Sequence, residues 1–344
     1  MFCSNLHIKW LKDVILTLFL ILSSLPAFAQ ESYKTVEAQK GDGIYLLLRR
    51  HGLNPPDYLN DFIALNKPLL GKDNMLISGC TYRLPVAGSA RSSKAPAGAV
   101  TRSYSIFGEK YKNVTISSSE LSGAVYYLVA GHGGPDPGAM GKYGSHTLCE
   151  DEYAYDVTLR LARKLIEKGA SVYLITRDPN DGIRDGQFLK PDKDEYCYPN
   201  LKIPLNQNQR LRQRKDAVNK LYLKHKKDFQ RMIAIHVDSR SRGEDIDVFF
   251  YHDRRSKTGR KAATILRNTF DRKYNEKQPG RGYHGTVSSR NLYVVKNTYP
   301  PAVYIELGNI NHSRDQKRFI VTDNRQALAN WLTLGLVKDF QTNK

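Results

Sequence analysis

The sequence predicts one large α/β domain, with a mostly parallel twisted sheet flanked by helices, preceded by a small α+β module. Two observations lead there. From residue 124 onward, short apolar runs alternate with stretches of helical periodicity, as in a parallel sheet joined by crossover helices. Three of the apolar runs also end in groups able to bind a metal or move a proton. These are His132 after Val125–Ala130, His236 after Met232–Ile235, and Glu306 after Val303–Ile305. Open α/β sheets place their sites outside the carboxyl ends of the strands.

The 344 residues suffice for one large domain and a small one. With 40% hydrophobic and 25% charged residues, the chain can bury a core and global disorder is excluded. A net charge of +19 favours an anionic partner without choosing between nucleic acid, acidic polymer and membrane surface. Residues 1–29 narrow the choice. Lys9 and Lys12 precede the apolar stretch Val14–Leu22, and Pro26-Ala27-Phe28-Ala29 closes with an Ala-x-Ala pattern, which together read as a secretory signal. The apolar part falls short of the ~20 residues of a membrane span, an uncleaved anchor being the alternative. The expectation is an exported protein of the periplasm or cell wall, with no nucleic-acid partner and no stable membrane span after signal cleavage. Cys80, Cys149 and Cys197 follow the signal, an odd number that rules out a disulfide framework. A Cys149–Cys197 pair is left open, and no second cysteine stands at metal-site spacing.

Residues 33–85 form the first module. Tyr33–Val36 reads as a strand, 39–43 as a turn, and 44–52 as a helix closed by Gly52. A second helix, 58–66, carries Leu59, Phe62, Ile63 and Leu65, and 77–85 supplies a turn and closing strand. The Val36…Gly41-Asp42 start and the Gly79-Cys80-Thr81-Tyr82-Arg83-Leu84-Pro85 finish resemble the LysM module. That resemblance implies binding to glycans containing N-acetylglucosamine; a spacer role is the other reading. Residues 86–100, rich in Gly, Ala, Ser and Pro, have the composition of a flexible linker. Residues 101–123 form a connecting segment with strand-like Val114-Thr115-Ile116 and no assigned role.

Residues 124–342 form the large domain. Strands are expected at 125–130, 172–176, 232–235, 247–251, 291–295 and 303–306, and helices at about 151–168, 207–224, 257–274 and 324–340. In the first helix Tyr153, Ala154, Val157, Leu161 and Leu165 define one buried face. Glu150 shares its phase and points toward the sheet edge, although a capping role would also place an acid there. Glu152, two residues on and about 200° round the helix, should face away. Asp151 and Glu152 then read as ordinary first-turn acids favoured by the helix dipole. The charged segment Asp181–Pro204 suits a lid or partner surface, with a solvated insertion favoured. Arg210–Lys215 reads as a solvated helix face. His51, His225, His252 and His312 are expected at the surface, and His146 and His284 within possible reach of substrate.

Five motifs in order resemble the zinc-dependent N-acetylmuramoyl-L-alanine amidases. They are Gly131-His132-Gly133-Gly134 through Ala139, the Glu150-led helix followed by Val172–Arg177, Leu205 with Arg210 or Arg214 and Asn219, Ile235-His236, and Pro301–Gly308. The resemblance implies Zn²⁺ held by His132, Glu150 and His236, with Glu306 as the proton-transfer residue. An expanded gap between His132 and Glu150 leaves Glu152 as the second choice of carboxylate. The implied activity is hydrolysis of the amide between N-acetylmuramic acid and L-alanine of the stem peptide. Peptidoglycan, both glycan strand and stem peptide, is then the partner, and an activator protein is a further possibility. Two alternatives stand beside this: a non-catalytic wall-binding or regulatory protein on the same scaffold, and a zinc peptidase cutting within the stem peptide.

Overall fold

The computed structural model describes residues 33–40, 42–53, 55–71, 74–86, 100–239 and 247–344. The expected signal at 1–29 and nearly all of the expected linker lie outside them. The chain separates into two compact units between Ser93 and Lys94.

The first unit runs strand β1 (Thr35–Glu37), helix α1 (Ile44–Arg50), helix α2 (Pro55–Asn66) and strand β2 (Thr81–Arg83). β1 and β2 pair antiparallel, with Val36 opposite Tyr82. Val36, Leu47, Leu48, Phe62 and Tyr82 form its core. Asn66 is buried where α2 ends. Its side-chain amide donates to the carbonyls of Phe62 and Arg83, and its oxygen accepts from the Arg83 amide, each at 2.8 Å. A buried amide with its bonds made fixes how the second helix meets the closing strand.

The second unit opens with a hairpin, β3 (Val100–Ser103) and β4 (Asn113–Ile116), followed by β5 (Ala124–Ala130) and a second hairpin, β6 (Met140–Tyr143) and β7 (His146–Cys149). Then come α3 (Glu150–Glu167), β8 (Ser171–Leu174), β9 (Thr176–Arg177), β10 (Tyr196–Cys197), β11 (Leu201–Lys202) and α4 (Gln207–Tyr222). The chain continues through β12 (Phe229–Asp238), β13 (Phe249–His252), α5 (Lys257–Lys277), β14 (Val287–Ser289) and α6 (Tyr293–Asn297). It ends with β15 (Ala302–Asn309), α7 (Ser313–Ile320) and α8 (Thr322–Asn343). The main sheet has six strands in the order β14-β13-β15-β12-β5-β8. Its one antiparallel pairing is β13 with β15; the other four are parallel.

Both faces of this sheet are covered, which explains why its strands read as continuous apolar runs. With a period of two, Tyr126, Leu128, Ile233, Ile235, Val303 and Ile305 pack with α3, α5 and α8. Val125, Tyr127, Val129, Met232, Ala234 and Ala302 pack on the other side with α4 and α6. Helix starts are fixed locally. Asn206 accepts from the Gln209 amide at 3.1 Å to cap α4, and Ser256 accepts from Gly259 at 2.9 Å to cap α5. Fully buried Asp156 on α3 accepts from Arg160 at 2.7 Å and from Arg325 at 2.6 Å, tying α3 to α8. Removing Asp156 would leave two buried guanidinium groups without this carboxylate.

Several expectations need correction. Residues 291–295 are not a strand: the sheet position beside β13 is held by β14, and Tyr293–Asn297 is a short helix. Burying Val294 and Val295 is worth roughly 1.5–3 kcal/mol each, more than the helix-propensity deficit of about 0.7 kcal/mol or less for a β-branched residue. The connecting segment 101–123 belongs to the large unit, with Val114 and Leu121 in its core. The 181–204 segment is not a solvated insertion. It supplies β10 and β11 to a three-stranded sheet with β9 and buries Ile183, Leu189, Cys197 and Ile203. Cys149 and Cys197 are separate buried thiols, so the disulfide left open is not formed. His252 is buried rather than superficial, its Nδ1 lying 2.9 Å from the Asp253 carbonyl oxygen.

Candidate metal centre

β5, β12 and β15 lie side by side, and their carboxyl ends bring the expected groups together. His132 follows β5 on a tight loop and adopts φ +61°. His236 lies on β12 in the phase of Met232 and Ala234, and Glu306 on β15 in the phase of Ala302 and Tyr304. The parallel register sets His236 directly opposite Glu306. Glu150 is the first residue of α3 and reaches this edge from the other face.

One donor atom from each of His132, Glu150 and His236 lies within 4.8 Å of the other two. His132 Nε2 is 3.2 Å from Glu150 Oε2, and His236 Nδ1 is 2.9 Å from Glu150 Oε1. Tetrahedral zinc with bonds of ~2.0–2.1 Å spaces its ligand atoms about 3.3 Å apart, so the donor spacing fits such an ion. The loop is shaped around this convergence. A Cβ on Gly131 would run into the His236 ring. At Gly138 (φ +70°) it would meet Glu150 Oε2 and His132 at 2.7 Å.

The donors are held in place by further bonds. His132 Nδ1 is 2.9 Å from Asp136 Oδ2, leaving Nε2 for the centre, and Arg210 donates to the same Asp136 oxygen at 2.6 Å. A carboxylate behind a histidine fixes its tautomer and ring orientation. Arg214 donates to the His132 carbonyl. Glu150 accepts from the amides of Ala139 at 2.8 Å and Val237 at 3.0 Å. The Tyr304 ring stacks on His236 at 4.1 Å. Beside the histidines lies a cavity of about 180 Å³, also lined by Arg210, Leu211 and Tyr293.

The electrostatics suit a cation. Burial disfavours a charged Glu150, but its bonds to both histidines outweigh this and hold the carboxyl well below the usual range. Burial keeps His236 below its ordinary value and hence neutral, its metal-binding form. Burial also opposes charge on His132, yet bonds to Asp136 and Glu150 raise it to about 10, so a metal would displace a proton there. Glu306 is 6% exposed, and its Oε2 has no hydrogen-bond partner among the described residues. Burial first, then the charges of Glu150 and Asp238, push its carboxyl well above the usual range.

The structure thus brings His132, Glu150, His236 and Glu306 to one edge. Glu152 is engaged elsewhere: it accepts from Arg184 at 2.8 Å and from the Asp192 amide at 3.1 Å. Asp151 and Glu152 stand in the first turn of α3 as expected, yet each is only 2% exposed. Arg210 and Arg214 are buried against the His132 loop rather than lying on a solvated face. Exposed His146 stacks on Phe188, with centroids 3.6 Å apart, and exposed His284 faces Asp247 at 3.7 Å. Asp136 and Tyr304 escaped the sequence reading. The available signals were the four-residue step from His132 to Asp136 and the two-residue step from Tyr304 to Glu306.

Fold and donors together give an α/β protein with a group of candidate metal ligands at the carboxyl edge of its sheet. The N-acetylmuramoyl-L-alanine amidase family pattern matches residues 127–338, and the chain belongs to that family. Membership supports cell-wall amide hydrolysis as the class of activity. The chain is also similar in structure to the CwlD amidase of Clostridioides difficile, solved in complex with the GerS lipoprotein. Identity there is 19%, coverage 64% of this chain and 99% of that one, and the TM-score 0.47. For amidase AmiC2 of Nostoc punctiforme the figures are 18%, 65%, 99% and 0.45. For the catalytic domain of the amidase CwlV of Bacillus (Paenibacillus) polymyxa var. colistinus they are 20%, 64%, 99% and 0.46. Comparison with curated proteins gives no match.

Proposed function

We propose that the large unit is a zinc-dependent amidase that cleaves the bond between the lactyl group of N-acetylmuramic acid and L-alanine of the stem peptide. The observation that carries this reading is the convergence of His132, Glu150 and His236 within 4.8 Å, on a chain that belongs to the amidase family. Those three residues would hold the ion. When bound, zinc supplies a Lewis acid for the scissile carbonyl and lowers the pKa of water toward ~7. Glu306, opposite His236 in the sheet, would take the proton of the attacking water and pass it to the departing alanine nitrogen, the charge of an ion held beside it favouring the ionised carboxylate that this needs. The carbon–nitrogen bond breaks, leaving a lactyl carboxylate and a free amine. Asp136 orients His132, and Arg210 in turn holds Asp136. Tyr304 covers one face of the His236 ring.

The strand–helix–helix–strand order of the first unit supports a LysM-like module that grips the glycan strand. The signal-like residues 1–29 support export to the periplasm or cell wall. No helix among the described residues is long and apolar enough to cross a membrane.

Digestion of purified sacculi by the zinc-loaded protein tests the activity. Intact stem peptides beginning with free L-alanine are expected, together with glycan strands bearing lactyl carboxylates. Chelation should stop the release and added zinc restore it. Peptides cut internally would indicate a zinc peptidase instead, and no release by the zinc-loaded chain would indicate a regulatory protein.

A further inference from the structure

A second set of acids lies beside the first centre and takes no part in it. Asp151 and Glu152 follow Glu150 in the first turn of α3, and Glu195 comes from the segment that leads into β10. All three are buried, at 2%, 2% and 6% exposure. One carboxylate oxygen from each lies within 4.8 Å of the other two. Some of their oxygens are occupied. Asp151 Oδ1 accepts from the Glu152 amide at 3.0 Å, and Glu195 Oε2 accepts from the Gly134 amide at 2.6 Å. Glu152 takes the Arg184 guanidinium and the Asp192 amide. Asp151 Oδ2, however, is buried with no hydrogen-bond partner among the described residues.

An orphaned carboxylate oxygen beside two other buried acids is costly without a counter-charge. Arg184 supplies one positive charge, and Asp181 shares it. We propose that Asp151, Glu152 and Glu195 form a second cation site, specific for a hard divalent ion of the calcium class. The donors are all oxygen, which selects Ca²⁺ or Mg²⁺ over the nitrogen-preferring ions suited to the histidine centre. The three acids also come from segments that need joining. Glu195 already clasps the Gly134 amide of the loop carrying His132. Asp151 and Glu152 begin the helix whose first residue is Glu150. An ion here pins the 181–204 segment and the His132 loop to the start of α3.

The test uses the full chain, stripped of metal and reloaded with zinc, and titrated with calcium alone by isothermal calorimetry. One calcium per chain is expected, with no loss of zinc and with a rise in melting temperature. Asp151→Asn and Glu195→Gln should each weaken calcium binding on the order of tenfold or more, since affinity follows the number of charged ligands. His236→Ala should leave calcium binding intact. Magnesium saturating the chain with the same dependence on Asp151 and Glu195 supports the site equally. The proposal is overturned if neither ion binds saturably, if zinc displaces calcium one for one, or if Glu195→Gln binds as well as the unaltered chain. Should a variant fail to fold, the stoichiometry of the unaltered chain still decides. Calcium binding is read without turnover, so failure of the amidase reading leaves this result separate.

Discussion

Three consecutive residues, Glu150, Asp151 and Glu152, begin one helix yet serve two different clusters. Glu150 meets two imidazoles, whereas its two neighbours meet Glu195. The first cluster has internal charge balance, because a carboxylate faces histidines that can carry a proton or a metal. The second gathers like charges, with Arg184 as the cation facing it. Burial alone therefore does not define a catalytic centre. What separates the clusters is donor chemistry, and with it the ion each can hold and the way each responds to protons.

The largest effect that would break this comparison concerns Glu306, which belongs to neither trio. If it moves the proton, Glu306→Gln should lower turnover on sacculi roughly 10²–10⁴-fold while bound zinc stays near one per chain. Turnover within tenfold of the unaltered protein would remove its assigned role. Next in size is ion occupancy. His236→Ala takes away a nitrogen donor and leaves Glu150 Oε1 with the Val237 amide as its bond. Elemental analysis should then find zinc lost, and activity with it. Full zinc retention would move the centre elsewhere.

Much of the first cluster was legible in sequence. Apolar runs ending in His132, His236 and Glu306 mark strand ends, and the helix phase of Tyr153 and Val157 marks Glu150 as inward. The second cluster was not legible. Helical phase turns Glu152 away from the first site, but nothing local says that the 181–204 segment lies over that side. Glu195 and Arg184 meet α3 only through tertiary packing across many intervening residues. The same limit concealed α7, whose only apolar residues, Phe319 and Ile320, stand at its end, although Asp315, Gln316 and Arg318 are also buried. It also made Val294-Val295 read as a strand, because a short apolar run has no period to separate helix from strand.

A smaller effect sharpens the account of the first cluster. Asp136 acts on the ion only through His132, so Asp136→Asn should keep the fold and a zinc site. Loss of the charged partner behind the imidazole should weaken zinc affinity about 10–100-fold, read by competition with a chelator of known strength. The effect on turnover at saturating zinc should be smaller than the effect on affinity. If affinity is unchanged, Asp136 merely shapes the loop, and its bond from Arg210 is structural.

The finest distinction is where in pH each cluster of the metal-free chain takes up its protons. Bonds to two histidines depress Glu150, so its contribution to stability is present above its unfolded value of 4.5 and is lost as pH falls through the folded value. His132 is raised from 6.5 to about 10, so its contribution is complete below 6.5 and fades as pH rises toward 10. In the second cluster, burial and then the neighbouring acids raise Asp151 from 3.8 to about 9. Burial, opposed by Arg184, raises Glu152 from 4.5 to about 7. Here the folded chain binds more protons than the unfolded one, so stability falls as pH climbs between those limits. For a single proton the slope cannot exceed about 1.4 kcal/mol per pH unit. Denaturant melts of the chelated protein from pH 5 to pH 8 should show this decline, joined above pH 6.5 by that of His132, and Asp151→Asn should flatten it most between pH 5 and 6.5, where His132 does not yet contribute. An undiminished slope between pH 5 and 6.5 in that variant would mean that Asp151 is not where the protons are taken up and that Glu152 carries the decline there.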